Sequence, residues 1–234
     1  MDEIANLDES DWQKLKDQYK SVLKAKSERL NDKKKKDLIQ LDVWFQEELP
    51  KNIQGRKEKH ITHEELCKLM KWKLTRGKFR PRLEQMVQEN SEEDVMKASK
   101  KAFSLLPNVS EAIKALSVLK AIGPATASAV LAAGAPKHAA FMADESMLAL
   151  PGLKPLAYTP AFYTKYMDQV KGIVKQLNKE AAVKWTPHDV EIALWTYYTL
   201  KTLEPDMLKS AIKRKADTEE KSPVNPRRRK KESD

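Results

Sequence analysis

Apolar residues recur along most of the chain at spacings of three and four, and residues that start or stop helices bound these runs. Between Asp8 and Leu30, Trp12, Leu15, Tyr19, Val22, Leu23 and Leu30 fall near one helical face. The charged stretch Asn31 to Asp37, with Lys33–Lys36, reads as a solvated turn. A helix is predicted over 35–48, burying Leu38, Leu41, Val43, Trp44 and Phe45. Leu49-Pro50 ends it, and 51–60 reads as a loop pivoting at Gly55. Thr62 with Glu65 has the reciprocal capping pattern. It opens a helix with Leu66, Leu69, Met70 and Leu74 inward and Lys68, Trp72 and Arg76 together on another side. Gly77 would end this helix and Pro81 would start the next. Ser91 to Asp94 starts another helix, and Asn108 with Glu111, or Ser110, the one after. Helical periodicity returns over 161–178. Thr186-Pro187-His188-Asp189 is a further start signal, for a helix over 190–200 too apolar to stand outside a core.

One stretch breaks this rhythm. Ile113, Leu116, Val118 and Leu119 give an apolar face that stops at Lys120–Gly123, and Pro124 stands where a first helical residue belongs. From Ala125 no residue is larger than Leu131 before Gly134, so a neighbouring backbone can come close. A bend followed by a helix start is a ready anion site, because unpaired N–H groups and the helix dipole point at the same place.

Leu119-Lys120-Ala121-Ile122-Gly123-Pro124-Ala125-Thr126-Ala127 resembles the helix-hairpin-helix motif, and its continuation to Asp144 resembles the endonuclease III-like DNA glycosylase superfamily. The similarity covers about 110–150 and is diffuse elsewhere, with the motif itself at about 110–135. It implies an all-α, multi-helix glycosylase-like body with main-chain amides near Gly123 gripping a DNA phosphate. It also implies a catalytic aspartate at Asp144, nineteen residues beyond Ala125. Two positions depart from the family. Ala121 replaces the first hairpin glycine, and Ala125 stands where bifunctional members carry their lyase lysine, so a monofunctional enzyme without strand cleavage is implied. Asp144 is equally well placed to cap the helix it opens, as a structural residue without catalysis.

Composition narrows the partner. Lys and Arg outnumber Asp and Glu by 44 to 34, a formal charge of +10, which favours an anionic polymer. The densest mixture of bases and aromatics holds Lys71, Lys73, Arg76, Lys78, Arg80 and Arg82 beside Trp72 and Phe79. It reads either as a phosphate-and-stacking surface or as core aromatics lined by bases. With Lys120, Ala121, Ile122, Gly123, Pro124 and Ala125 these bases make the expected DNA-binding set. The single cysteine, Cys67, excludes an internal disulfide and a four-cysteine iron–sulfur loop. The histidines, His60, His63, His138 and His188, have no zinc spacing, and no metal or cofactor is expected; His63 and His188 read as solvated or capping residues. There is no membrane-length apolar run, no signal-peptide pattern, no internal repeat, and no nucleotide-binding or hydrolase-elbow fingerprint.

The last segment, 211–234, loses its apolar residues and is expected to be a disordered basic tail. Lys213-Arg214-Lys215 and Arg227-Arg228-Arg229-Lys230-Lys231 resemble a bipartite nuclear-import signal, with a non-specific nucleic-acid arm as the alternative. The expectation is therefore one all-helical domain over 1–210, of about ten helices, in a nuclear, monomeric protein. Its partners would be duplex DNA, intact or damaged, and an import receptor, with no membrane. Three functions fit: a sequence-independent DNA-backbone binder active in repair, a monofunctional base-excision glycosylase using Asp144, or a non-catalytic protein-interaction module on the same fold.

Overall fold

A computed structural model describes residues 3–179 and 183–212. Within these the protein is all-helical, with no strand. The import-like clusters at 213–215 and 227–231 lie outside the described residues. No described helix is long and apolar enough to cross a membrane.

The predicted helix starts are made by the residues that signalled them. In α5 (His63–Arg76) the Thr62 hydroxyl accepts from the Glu65 amide while the Glu65 carboxylate accepts from the Thr62 amide. Ser91 caps α7 (Glu92–Ser104), Asn108 caps α8 (Val109–Leu116), and Thr186 with Asp189 closes a second capping box on α12 (Pro187–Leu203). Each such cap satisfies amides that a helix start leaves without partners.

The N-terminal third differs from its expected outline. The single run expected over 8–30 is two helices, α1 (Glu9–Asp17) and α2 (Tyr19–Ser27), broken at Gln18. The lysine run is no turn, because the Asn31 side chain caps α3 (Asp32–Val43) and takes the lysines into its first turns. Trp44–Glu48 widens into a π turn, and Leu49–Gly55 forms α4 where a loop was expected. Pro50 stands in the first turn of α4, directly after the π turn, and Ile53 in the same helix is buried.

Two helices organise the interior. α12 packs against α1, α2, α11 (Pro160–Leu177), α13 (Pro205–Ala211) and the short α10 (Asp144–Leu148). α9 (Pro124–Gly134) packs against α4, α5, α7 and α8, and every residue from Thr126 to Gly134 is buried. α6 (Pro81–Gln88) covers α5. The small side chains of α9 permit this approach: a methyl group added at Gly134 would lie 2.4 Å from the Phe103 ring.

Between α9 and α10 the chain makes one turn, closed by the His138 and Ala139 amides on the Ala135 carbonyl, and then crosses the interior held by three buried hydroxyls. Ser128 Oγ accepts from the Met142 amide at 2.9 Å, Tyr163 donates to the Ala140 carbonyl at 2.9 Å, and Tyr166 donates to the Phe141 carbonyl at 3.1 Å. Buried polar groups of this kind need such partners. At the end of this anchored segment stands Asp144.

Candidate functional site

An open cleft of about 670 Å3 lies where the α9 and α12 groups of helices meet. Its walls come from the end of α5, the 77–80 segment, the link 117–123 with the start of α9, and the start of α10. Tyr158 and Tyr198 line it as well.

Asp144 is half-buried in this cleft. It is the first residue of α10, with Ala143 in the capping position, and no side chain caps that helix. The expected capping role is thus not the one its carboxylate performs. Its Oδ1 accepts from the Tyr158 hydroxyl at 2.6 Å, and its Oδ2 faces Lys78 Nζ at 3.6 Å. Burial and this bond to a carboxylate push the Tyr158 phenol up to about 12, so it stays a donor. The neighbouring Glu145 turns away, to Lys26 of α2 at 2.8 Å. Ser146 fixes α10 from below, donating to Glu191 Oε1 at 3.0 Å.

The bases expected to act together are dispersed. Lys73, Lys78 and Arg80 line the cleft. Lys78 is mostly in solvent, its side chain 75% exposed, and Lys73 is half-buried. Burial pulls the Lys73 ammonium below the usual lysine range; Asp144 opposes the shift and Arg80 adds to it. Lys71 faces away, paired with Asp37 of α3 at 3.0 Å, and Arg82 is exposed outside the cleft. Arg76 requires correction as a surface contact. Its side chain is 2% exposed and bonds Glu191 Oε1 at 3.3 and 3.4 Å, so its charge is matched inside the protein. The two aromatics divide as well. Trp72 is core, stacked on Phe45 and donating to Asp42, whereas Phe79 is 60% exposed with Lys34 over its ring at 5.2 Å.

In the link, the Ile122 amide is used within the turn, donating to the Leu119 carbonyl, and the Ile122 side chain is buried. The Lys120 amide donates to Asn90 Oδ1 at 2.8 Å, and its ammonium pairs with Glu89 at 3.0 Å. Neither of these amides is open to a ligand. Gly123, Pro124, Ala125 and Thr126 do line the cleft, and no side chain caps α9. The Ala125 and Thr126 amides of its first turn therefore have no side-chain acceptor, the arrangement that suits an anion.

Ala121 adopts φ of 63°, the left-handed region that costs an L residue about 1–2 kcal/mol. Glycine relieves this cost but loses about 0.4–1 kcal/mol through greater freedom of the unfolded chain. Ala121→Gly is therefore expected to stabilise the protein by up to about 1 kcal/mol, read as a higher urea midpoint at unchanged slope. A lower midpoint would show that the alanine is unstrained.

Sequence reasoning missed Tyr158 and Tyr198. Tyr158 lies fourteen residues beyond Asp144 in a non-helical segment, and no spacing rule connects the two. Among the described residues no group of three or more His, Cys, Asp or Glu could hold a metal ion. No protein-family model, curated protein or solved structure matches the chain at a significant level.

Proposed function

We propose that the chain is a nuclear DNA-binding protein that grips backbone phosphates without reading sequence and receives one nucleotide in the cleft. The observation that carries this is convergence. The uncapped start of α9, the cationic side chains of Lys73, Lys78 and Arg80, and one half-buried carboxylate line a single cavity of about 670 Å3. That size lies within the ~300–1,000 Å3 usual for small-ligand sites. Amides and bases suit phosphate oxygens, which position a protein but carry no sequence information. The tyrosines offer faces on which a base can stack. The resemblance to helix-hairpin-helix glycosylases gives the same ligand, and nuclear location and an import receptor rest on the tail sequence.

The placement of Asp144 favours a second reading on the same site, monofunctional base excision. The carboxylate spends its hydrogen bonding on Tyr158 in the cleft rather than on its own helix. A carboxylate there would stabilise positive charge developing on the sugar of a flipped nucleotide.

One experiment addresses both. Gly123 has open space around its Cβ direction, so Gly123→Glu should fold normally while bringing a negative charge to the phosphate site. Its affinity for a duplex, measured by fluorescence anisotropy, is expected to fall at least about tenfold, on the scale of 1.4 kcal/mol. Wild-type affinity should fall with salt by about 0.9 log unit per phosphate neutralised. Asp144→Asn should still bind but lose any alkali-labile sites that the wild type makes in duplexes with modified bases. Absent or salt-insensitive binding would leave the protein-interaction module instead.

A further inference from the structure

We infer that Tyr158 is the nucleophile of a strand-transfer reaction, attacking a backbone phosphate in the cleft to form a phosphotyrosyl link to DNA. Asp144 serves as its general base, and Lys73 gives a proton to the departing sugar oxygen. This adds an activity to the proposed function. It rests on DNA occupying the cleft and is independent of base excision.

A nucleophile and a base already in contact carry the inference. The Tyr158 hydroxyl donates to Asp144 Oδ1 at 2.6 Å, within the usual reach of such a pair. Oδ2 of the same carboxylate faces Lys78 Nζ at 3.6 Å, so a third group orients the base. Tyr158 is 41% exposed, so a ligand in the cleft can reach it. The next residue, Thr159, caps α11 and fixes the backbone at this point. Lys73, Lys78 and Arg80 line the same cavity, as do the residues at the uncapped start of α9. Such groups match the charge spread over the phosphate oxygens during transfer.

The protonation states suit these roles. Burial and the neighbouring carboxylate push the phenol up to about 12, so it attacks only as Asp144 takes its proton. Burial pulls the Lys73 ammonium below the usual lysine range, which makes it a readier proton donor.

Atoms and electrons balance within the cleft. The Tyr158 oxygen forms a bond to phosphorus as its proton passes to Asp144. The bond from phosphorus to one sugar oxygen breaks, and that oxygen keeps the electron pair and takes a proton from Lys73. The products are a phosphotyrosyl strand and a free sugar hydroxyl. One diester replaces another, so attack by that hydroxyl reseals the strand and returns both protons.

The test separates binding from transfer. An unmodified duplex reports binding by fluorescence anisotropy. Duplexes with sulfur in place of the 3′ or the 5′ bridging oxygen report attack, because a thiolate leaves without a proton and reseals poorly. Wild type should bind the first and form a denaturant-stable adduct with one of the sulfur duplexes, mapped by peptide mass to Tyr158. It should also relax a supercoiled plasmid. Tyr158→Phe should bind the unmodified duplex within about threefold of wild type, form no adduct and relax no plasmid. Asp144→Asn should slow the adduct at least about a hundredfold. Lys73→Arg keeps the charge but not the proton donor. It should slow plasmid relaxation at least about a hundredfold while its sulfur adduct forms at nearly the wild-type rate. Equal slowing of both would overturn the role of Lys73. Binding without an adduct, an adduct on another residue, or an undiminished adduct in Tyr158→Phe overturns the assignment and spares the DNA reading. Failure of wild type to bind the unmodified duplex overturns both.

Discussion

Arg76→Leu is expected to lower the unfolding free energy by about 3–5 kcal/mol, the usual cost of removing one partner from a buried ion pair. The guanidinium lies between rings, with its carbon 4.6 Å from the Trp195 centroid, 5.3 Å from Trp72 and 5.6 Å from both Tyr19 and Phe141. Its partner Glu191 is 1% exposed, and burial already pushes that carboxyl up. Without the arginine, Glu191 must either stay charged in an apolar surrounding or take a proton. Asp42, bonded by Tyr19 at 2.7 Å and Trp72 at 3.0 Å, loses the same counter-charge. Chemical denaturation of the single variant and of Arg76→Leu/Glu191→Leu checks this. The double variant should recover part of the loss, since two apolar groups leave no orphaned charge at this pair. Equal losses in the single and double variants would mean that lost packing, not charge, dominates.

Acid should weaken the protein through His188. Burial, with Arg76 and Lys16 adding and Asp189 opposing, pulls the imidazole down to about 4, and its Nε2 contacts Gln46 Oε1 at 2.8 Å. In the unfolded chain the ring takes a proton near its ordinary value of about 6.5, which the folded state refuses until about 4. Unfolding therefore binds the extra proton between these values, so stability is full above about 6.5 and lost as pH falls to about 4. The whole step is about 3 kcal/mol at 1.36 kcal/mol per unit. The carboxyls of Glu65, Glu145 and Asp189, held low by Arg56, Lys26 and Lys16 respectively, lose stability in the same direction at more acid pH. Asp42 and Glu191, pushed up by burial, act the other way. Comparing wild type with His188→Gln at each pH subtracts the carboxyls common to both. The stability difference between them should shift by about 3 kcal/mol between pH 7 and 4. A flat difference would show that the native ring is charged, paired with Glu191 Oε2 at 3.5 Å.

The contrast between these two residues also shows what a sequence makes legible. Helix starts were readable because a cap acts over three residues, as at Thr62, Ser91 and Thr186. The all-helical class followed from the same periodicity. The π turn at Trp44–Glu48 was invisible because nothing in its residues distinguishes it from a continuing α-helix, and Pro50 was mistaken for a stop. Arg76 looked like a surface base because its acid, Glu191, is 115 residues away and unrelated by spacing. His188 looked like a solvated or capping residue for the same reason, with Gln46 142 residues away. At the candidate site, Asp144 and the residues flanking Gly123 could be singled out in sequence, and they line one cavity. Tyr158 and the half-burial of Lys73 depend on tertiary contact and could not.

The three hydroxyls of Ser128, Tyr163 and Tyr166 bear on how this protein can diversify. Because they moor the run into Asp144 from the interior, the acid's coordinates are inherited from the scaffold and not from the rim. A lining position outside this run, such as Leu83, can be exchanged for another shape or polarity while the acid stays put. Substitutions there would reshape the cleft around a carboxylate that does not move.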